Sequence, residues 1–179
     1  VLAGRTAIVS GASRGIGLAI ARALVADGVR VAMVARTAAA LEMRAAELGT
    51  LTLPIAADLT KPATVDAVVR RALDAFGAAP DILVNNAGVF TLASVDETSP
   101  ADFQAAVETN LLAPFLLTRA VLPGMRARAS GHLVFIGSTA DRLILSGNAA
   151  YGASKFGARA LLETLRREVR GSGVRATLV

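Results

Sequence analysis

The chain has no cysteine and no tryptophan, and only one histidine and one tyrosine. Without cysteine, disulfides, cysteine-based zinc sites and thiol nucleophiles are all excluded. No metal site is expected, and a reducing cytoplasm is the expected location. Lysine is nearly missing too: Lys61 and Lys155 stand alone, and arginine supplies the rest of the positive charge. The net charge of +5 raises the question of nucleic acid. The arginines are scattered, however, with no dense basic block and no interleaved aromatics to stack on bases, so no nucleic-acid partner is expected. Long apolar runs are lacking as well. Arg119 and two prolines interrupt the best candidate, at 111–125, so no membrane association is expected. The first residue is Val1 rather than Met, and no basic start or cleavage site follows, so the chain is expected to be trimmed there.

What is present is apolar and glycine-rich. Hydrophobic residues make up 54% of 179 positions, with 16 glycines, which excludes disorder and allows one domain with a real core. Residues 1–179 are accordingly read as a single domain. Short β-branched runs alternate with longer Ala/Leu/Arg segments of helical period. Strands are predicted at Thr6–Ser10, Val29–Ala35, Leu51–Ala56, Ile82–Asn85, Leu133–Gly137 and Val174–Val179. Helices are predicted near 16–26, 38–48, 62–76, 100–128 and 151–170. Gly28, Gly49, Gly77, Gly131 and Gly171 stand where helices must stop. Repeated βαβ units imply an α/β fold, a doubly wound parallel sheet with helices on both faces.

The first strand runs into "SGASRGIG", residues 10–17, and then into a helix. Gly11, Gly15 and Gly17 suit a tight turn that lets a pyrophosphate approach the backbone and the helix N-terminus. The pattern therefore points to dinucleotide binding. At the end of the second strand, where an NAD site usually presents an acid, "ARTAA" offers none. Arg36 could pair with a 2′-phosphate and Arg14 could approach it from the glycine turn, or both could be surface arginines. The missing acid favours NADP(H) over NAD(H). Asp58 in "AADLT" could cap the helix that follows or bond an adenine amino group.

These residues carry a resemblance. The chain is identified as a member of the short-chain dehydrogenase/reductase family, of the compact single-domain type with a Rossmann-like fold. "SGASRGIG" resembles its cofactor turn, with Ser10 where the family more often has Thr. "NNAG" at 85–88 matches its signature after the fourth strand, and "TNLLAPF" at 109–115 resembles its helix bearing an active-site asparagine, here Asn110. "IGSTA" places Ser138 thirteen residues before Tyr151, and "YGASK" matches the Tyr-x3-Lys motif with Lys155. The resemblance implies cofactor contacts from Gly11, Ser13, Arg14, Gly15, Ile16 and Gly17. It adds Arg36, Asp58 and Leu59 around the adenosine, Asn86, Ala87 and Gly88 beside the sheet, and Tyr151 with Lys155 at the ribose. The implied activity is that of an NADPH-dependent ketone or 3-oxoacyl reductase, acting on a small carbonyl or alcohol substrate.

Chemistry agrees with that reading. Tyr151 and Lys155, four apart, share one face of a helix. A phenol titrating near ~10 is a poor acid or base at neutral pH, and a nearby ammonium favours its ionised form. A compact ammonium can also donate to two ribose hydroxyls, which arginine does less well. By resemblance, Tyr151 protonates the carbonyl oxygen as hydride arrives and Ser138 hydrogen-bonds that oxygen. Asn110 anchors a water linking Lys155 to solvent. Two other readings remain: an NAD-dependent alcohol dehydrogenase of the same family, or an NADP(H)-binding regulatory module without turnover. The lone histidine, His132, follows Gly131 at a strand entrance and is read as structural or solvated.

The resemblance further implies a homodimer or homotetramer through helices 100–128 and 151–170, whose apolar positions exceed what one sheet face needs. It also implies that the chain continues past "VRATLV" into a substrate-covering segment and a last strand. Ending at Val179 would leave the sixth strand as an apolar edge.

Overall fold

Strand β1 (Thr6–Ser10) is buried at every position, and β2 (Arg30–Ala35) at every position but its first, as runs rich in Ala, Val and Ile require. Both lie inside one parallel sheet of a computed structural model, which describes residues 2–179. The sheet also holds β3 (Thr52–Ala56), β4 (Ile82–Asn85), β5 (Gly131–Phe135) and β6 (Val174–Leu178). Its order is β3-β2-β1-β4-β5-β6, so the winding reverses between β1 and β4. At such a switch point the loops after the two strands diverge and leave a crevice at the carboxyl edge.

Side chains alternate along the strands and build two cores. Ala7, Val9, Val31 and Met33 face α1 (Gly15–Ala26) and α2 (Ala38–Leu48). Ile8, Val34, Leu83 and Leu133 face α3 (Pro62–Phe76), α5 (Ala113–Ala127) and α6 (Ala149–Glu168). At the opposite edge of the sheet Asp81 accepts bonds from the Thr6 N–H, the Thr6 hydroxyl and Arg5, tying the entries of β1 and β4 together. His132 stands at that same edge, 2.8 Å from the Thr177 hydroxyl; burial and Arg175 hold its pKa below the ordinary value. That register places it at the end of the sheet remote from the glycine turn.

Three expectations change. The helix expected at 100–128 is continuous but not uniform: α4 (Pro100–Val107) passes through a π-helical segment, Glu108–Leu112, into α5. A π-turn inserts a residue without breaking the helix and re-aims what it carries, here Asn110. Second, Gly131 does not stop α5. It is the first residue of β5, which ends at Phe135 rather than Gly137, and the left-handed turn is made by Ala129 (φ 52°). A Cβ at Gly131 would strike Met125, so this glycine is a packing requirement. Third, the whole helix Pro100–Ala127 is long and apolar enough to cross a membrane by those criteria alone. The sequence reading, halting at Arg119 and the prolines, counted no such run. Burial of Ala113, Leu117, Val121 and Met125 in the core accounts for that composition.

Candidate functional site

The turn after β1 is shaped by contacts that leave no room for side chains. A Cβ at Gly17 would overlap the Gly11 carbonyl and Asn86 Nδ2, and one at Gly11 would meet Asn86 and the Ala87 backbone. Gly15, at φ 55°, faces open space. Below the turn, Ser10 Oγ accepts the Asn86 and Ala87 N–H groups (2.9 and 3.0 Å) and donates to the Val84 carbonyl (3.2 Å). Asn86 Nδ2 returns a bond to the Ser10 carbonyl at 2.9 Å. A serine suffices for this crosslink, because its side-chain bonds use the hydroxyl alone. Above it, α1 begins at Gly15 with Arg14 as its N-cap, and no side chain caps the first turn. Its leading N–H groups and positive dipole end therefore face outward. A turn with glycines at its closest approaches, under an uncapped helix N-terminus, fits a dinucleotide pyrophosphate.

The turn opens into a cleft of about 800 Å³, within the range of ligand sites. Its walls include Ser13, Arg14, Gly15 and Ile16 on one side, Arg36, Asp58 and Leu59 on another, and Asn86, Ala87 and Gly88 behind. Arg14, Ile16 and Arg36 are exposed. Leu59 belongs to the core and also borders the cleft. Asp58 does not cap α3, whose N-cap is Lys61; its Oδ1 instead accepts the Thr60 N–H (3.1 Å) and hydroxyl (2.8 Å). Those bonds, outweighing burial and aided by Lys61 and Arg36, hold its carboxyl below the ordinary range. Thr37, Met43, Arg44 and Thr109 also line the cleft. Sequence reading missed them: Met43 and Arg44 sit on α2 where no motif marks them, and Thr37 and Thr109 stand in stretches singled out for other residues.

The other candidates gather around α6. Asn110, 2% exposed, donates both amide hydrogens at 2.9 Å, to the Val89 carbonyl and to Ser154 Oγ, and accepts the Val89 N–H. Ser154 in turn donates to the Tyr151 carbonyl at 2.7 Å. The π segment thus grips both the chain after "NNAG" and the first turn of α6. Tyr151 is half-buried, its ring met edge-on by exposed Phe90 at 4.8 Å. Lys155 is 8% exposed; its Nζ lies 5.6 Å from the Tyr151 ring centre and donates to the Ile136 carbonyl at 2.8 Å. Burial lowers its pKa and Asp141 opposes the shift. Ser138 caps a 3₁₀ turn, Thr139–Asp141, and its Oγ accepts the Ala140 N–H at 3.2 Å.

Lys155 and Asn110 share a small void with Asn85 and Asp141, whereas neither Ser138 nor Tyr151 forms a wall of the large cleft. Beside Tyr151 a second, apolar groove of about 350 Å³ runs between Val95, Leu143, Ile144, Leu145 and Phe156, with Asn148 and Gly152 in its floor. No motif announced this groove. It is closed by pairing of Ala93 with Asn148, 55 residues apart in the chain.

Residues 5–179 match the model of the family described as short chain dehydrogenase. The ketoacyl reductase HetN of Nostoc is 36% identical over 99% of this chain and 63% of its own length. A 3-oxoacyl-[acyl-carrier-protein] reductase of Vibrio cholerae is 35% identical over 99% of this chain and 72% of its own. A glycine betaine reductase of Emericella nidulans is 38% identical, but the chain spans only 14% of it. Among solved structures, a metagenomic short-chain oxidoreductase in complex with NADP superposes with a TM-score of 0.93 at 39% identity, covering 98% of this chain and 81% of that one. A Brucella melitensis 3-ketoacyl-(acyl-carrier-protein) reductase complexed with NADH gives 0.95 at 31% identity, covering 99% and 75%.

Proposed function

The chain belongs to the short-chain dehydrogenase family, and from that premise we propose that it is an NADP(H)-dependent oxidoreductase interconverting a carbonyl and a secondary alcohol. The observation that carries this reading is the state of Lys155. It is an ammonium buried beside a tyrosine, with no carboxylate within ion-pair distance among the described residues. Burying a charge without a contacting partner is costly, and such sites are candidates for function.

The glycine turn, from Gly11 through Ser13, Arg14, Gly15 and Ile16 to Gly17, would hold the pyrophosphate against the α1 N-terminus. Arg36, with Arg14, would bind a 2′-phosphate. Asp58 and Leu59 would border the adenine, Asn86 to Gly88 would border the cofactor along the sheet, and Lys155 would donate to the nicotinamide ribose. When bound, the nicotinamide supplies hydride for reduction and accepts it in oxidation. Tyr151 donates the proton to the carbonyl oxygen, and in the reverse direction removes it from the alcohol. Ser138 donates to the same oxygen: its lone pair is already turned to the Ala140 N–H, which leaves its hydrogen for the substrate. Asn110 keeps Tyr151 in register through Ser154. The apolar groove beside Tyr151 would take an uncharged, apolar substituent of the substrate.

Self-association and a cytoplasmic location without nucleic-acid or membrane partners belong to the same reading. Phe103, Phe115 and Phe156 leave apolar surface on α4, α5 and α6, which suits a two-fold partner. Light scattering at micromolar concentration should give a dimer or tetramer. The deciding experiment incubates the protein with NADPH and a panel of ketones. Turnover that disappears in Tyr151→Phe supports the reading. Tight NADPH binding with no turnover of any ketone would reduce it to a cofactor-binding module.

A further inference from the structure

Asp141 is almost wholly buried, 1% exposed, and it sits at the one place where the Ser138 turn meets helix α6. Its Oδ2 accepts the Ser138 N–H at 3.1 Å, completing a capping box with the Ala140–Ser138 bond. Its Oδ1 accepts from Arg142 Nε at 2.9 Å in the same turn and from Arg159 at 3.1 Å on α6. Arg159 is one helical turn beyond Lys155, and Asp141 and Lys155 line the same small void. Space around the carboxylate is tight: a Cβ at Gly137 would come within 2.6 Å of Oδ2. The position of this acid is therefore built, not incidental.

We propose that Asp141 is a positioning residue for the reaction, clamping the Ser138 turn onto α6 and serving as the buried counter-charge of Lys155. This rests on the roles given to Ser138 and Lys155 above and extends them. Two arginines hold the carboxylate in place, yet both keep much of their side chains in water, 57% for Arg142 and 38% for Arg159. Water screens their charges more than it screens the two buried groups. A buried carboxylate whose cations are screened still acts on the ammonium that lines the same void. The groups facing Lys155 are Tyr151 and Arg159 on its own helix, Asp141 on the turn, the Ile136 carbonyl just after β5, Asn85 at the end of β4, and Asn110 on the π segment. Asp141 is the only acid among them. Burial disfavours the charged form of Lys155 and Asp141 favours it.

The scarcity of lysine makes a direct test available. With ¹³C-labelled lysine the protein gives two side-chain signals, from Lys155 and from exposed Lys61, which serves as an internal reference. In Asp141→Asn, nearly the same shape without the charge, the Lys155 titration midpoint should move to lower pH while Lys61 stays. In Arg159→Gln, which removes a neighbouring cation, it should move to higher pH. The alkaline limb of kcat/KM for ketone reduction should follow in the same directions. A folded Asp141→Asn with an unmoved Lys155 midpoint overturns the proposal. If that variant does not fold, the same titration is read in Asp141→Ser, and an unmoved Lys155 midpoint there overturns it. Midpoints that move as expected while the activity limb stays fixed would sustain the counter-charge and defeat the role given to Lys155 in turnover. The two failures are therefore distinguishable.

Discussion

The turns after β1 and after β5 leave the sheet at the same edge, yet they are held in different ways. The first is a backbone device: glycines packed against carbonyls, one serine hydroxyl beneath, and helix N–H groups facing out. The second is a side-chain device, in which buried Asp141 takes bonds from the Ser138 N–H and from the partly exposed Arg142 and Arg159 and shares a void with buried Lys155. A backbone cradle binds any group of the right shape and charge, and tolerates much change around it. A cluster of charges depends on every member, because removing one leaves another buried and uncompensated. Binding and chemistry should therefore fail separately.

The largest separation is expected from Tyr151→Phe. Removing one hydroxyl leaves the glycine turn untouched, so NADPH affinity by fluorescence titration should hardly change. The reduction rate should fall about 10²–10⁴-fold, the usual loss for a general acid. Near-normal turnover would break the assignment. Next comes the converse, a change to binding alone: Arg36→Asp should lower the preference for NADPH over NADH about 10- to 100-fold, the scale of one charge-assisted contact. Equal use of both cofactors by the unaltered protein would remove the basis for choosing NADP(H).

A third change tests whether the cradle is as rigid as its contacts imply. Gly17→Ala should cost about 1–3 kcal/mol in a denaturant titration, since the colliding atoms belong to backbone and to a tethered asparagine. Gly15→Ala meets open space and pays only for its left-handed backbone, about 1–2 kcal/mol. If Gly15→Ala is clearly the more damaging, the packing account of Gly17 is wrong. The smallest effect concerns acid. Burial works against ionisation of Asp141 and Asp81, but the Ser138 N–H with two arginines, and the Thr6 N–H with Arg5, hold both carboxyls below their ordinary value. The folded state then binds fewer protons than the unfolded one. The stabilisation is complete above the ordinary carboxylate range of roughly 4 and is lost as the pH falls through the folded values. Asp141→Asn should flatten the pH dependence of the unfolding midpoint below that range, and an unchanged slope would count against the buried bond network.

Much of this molecule was legible before its structure. The glycine turn and "NNAG" are contiguous motifs whose physical demands are local, and Tyr151 and Lys155 meet through helical period alone. Asn110 was named, with a water-anchoring role implied by the resemblance, but its side-chain bonds were not legible: the π segment that aims it looks like ordinary helix in sequence, and its partners Val89 and Ser154 lie 21 and 44 residues away. Gly131 was misread because a glycine between a helix and a strand serves equally as a stop or as a space for Met125.

From the sequence alone came the alternation that winds the sheet, the dinucleotide turn, the missing acid after β2 and the Tyr151–Lys155 pair, whereas Ser138 and Asn110 came from the family resemblance. Those read from the residues rest on neighbours within about one helical turn or one strand, where spacing determines geometry. Only the tertiary structure decided that Lys155 is buried, that Asp141 joins the Ser138 turn to α6, and that an apolar groove opens beside Tyr151. Burial and counter-charge arise when distant segments exclude water together, and no single segment carries that information in its own pattern.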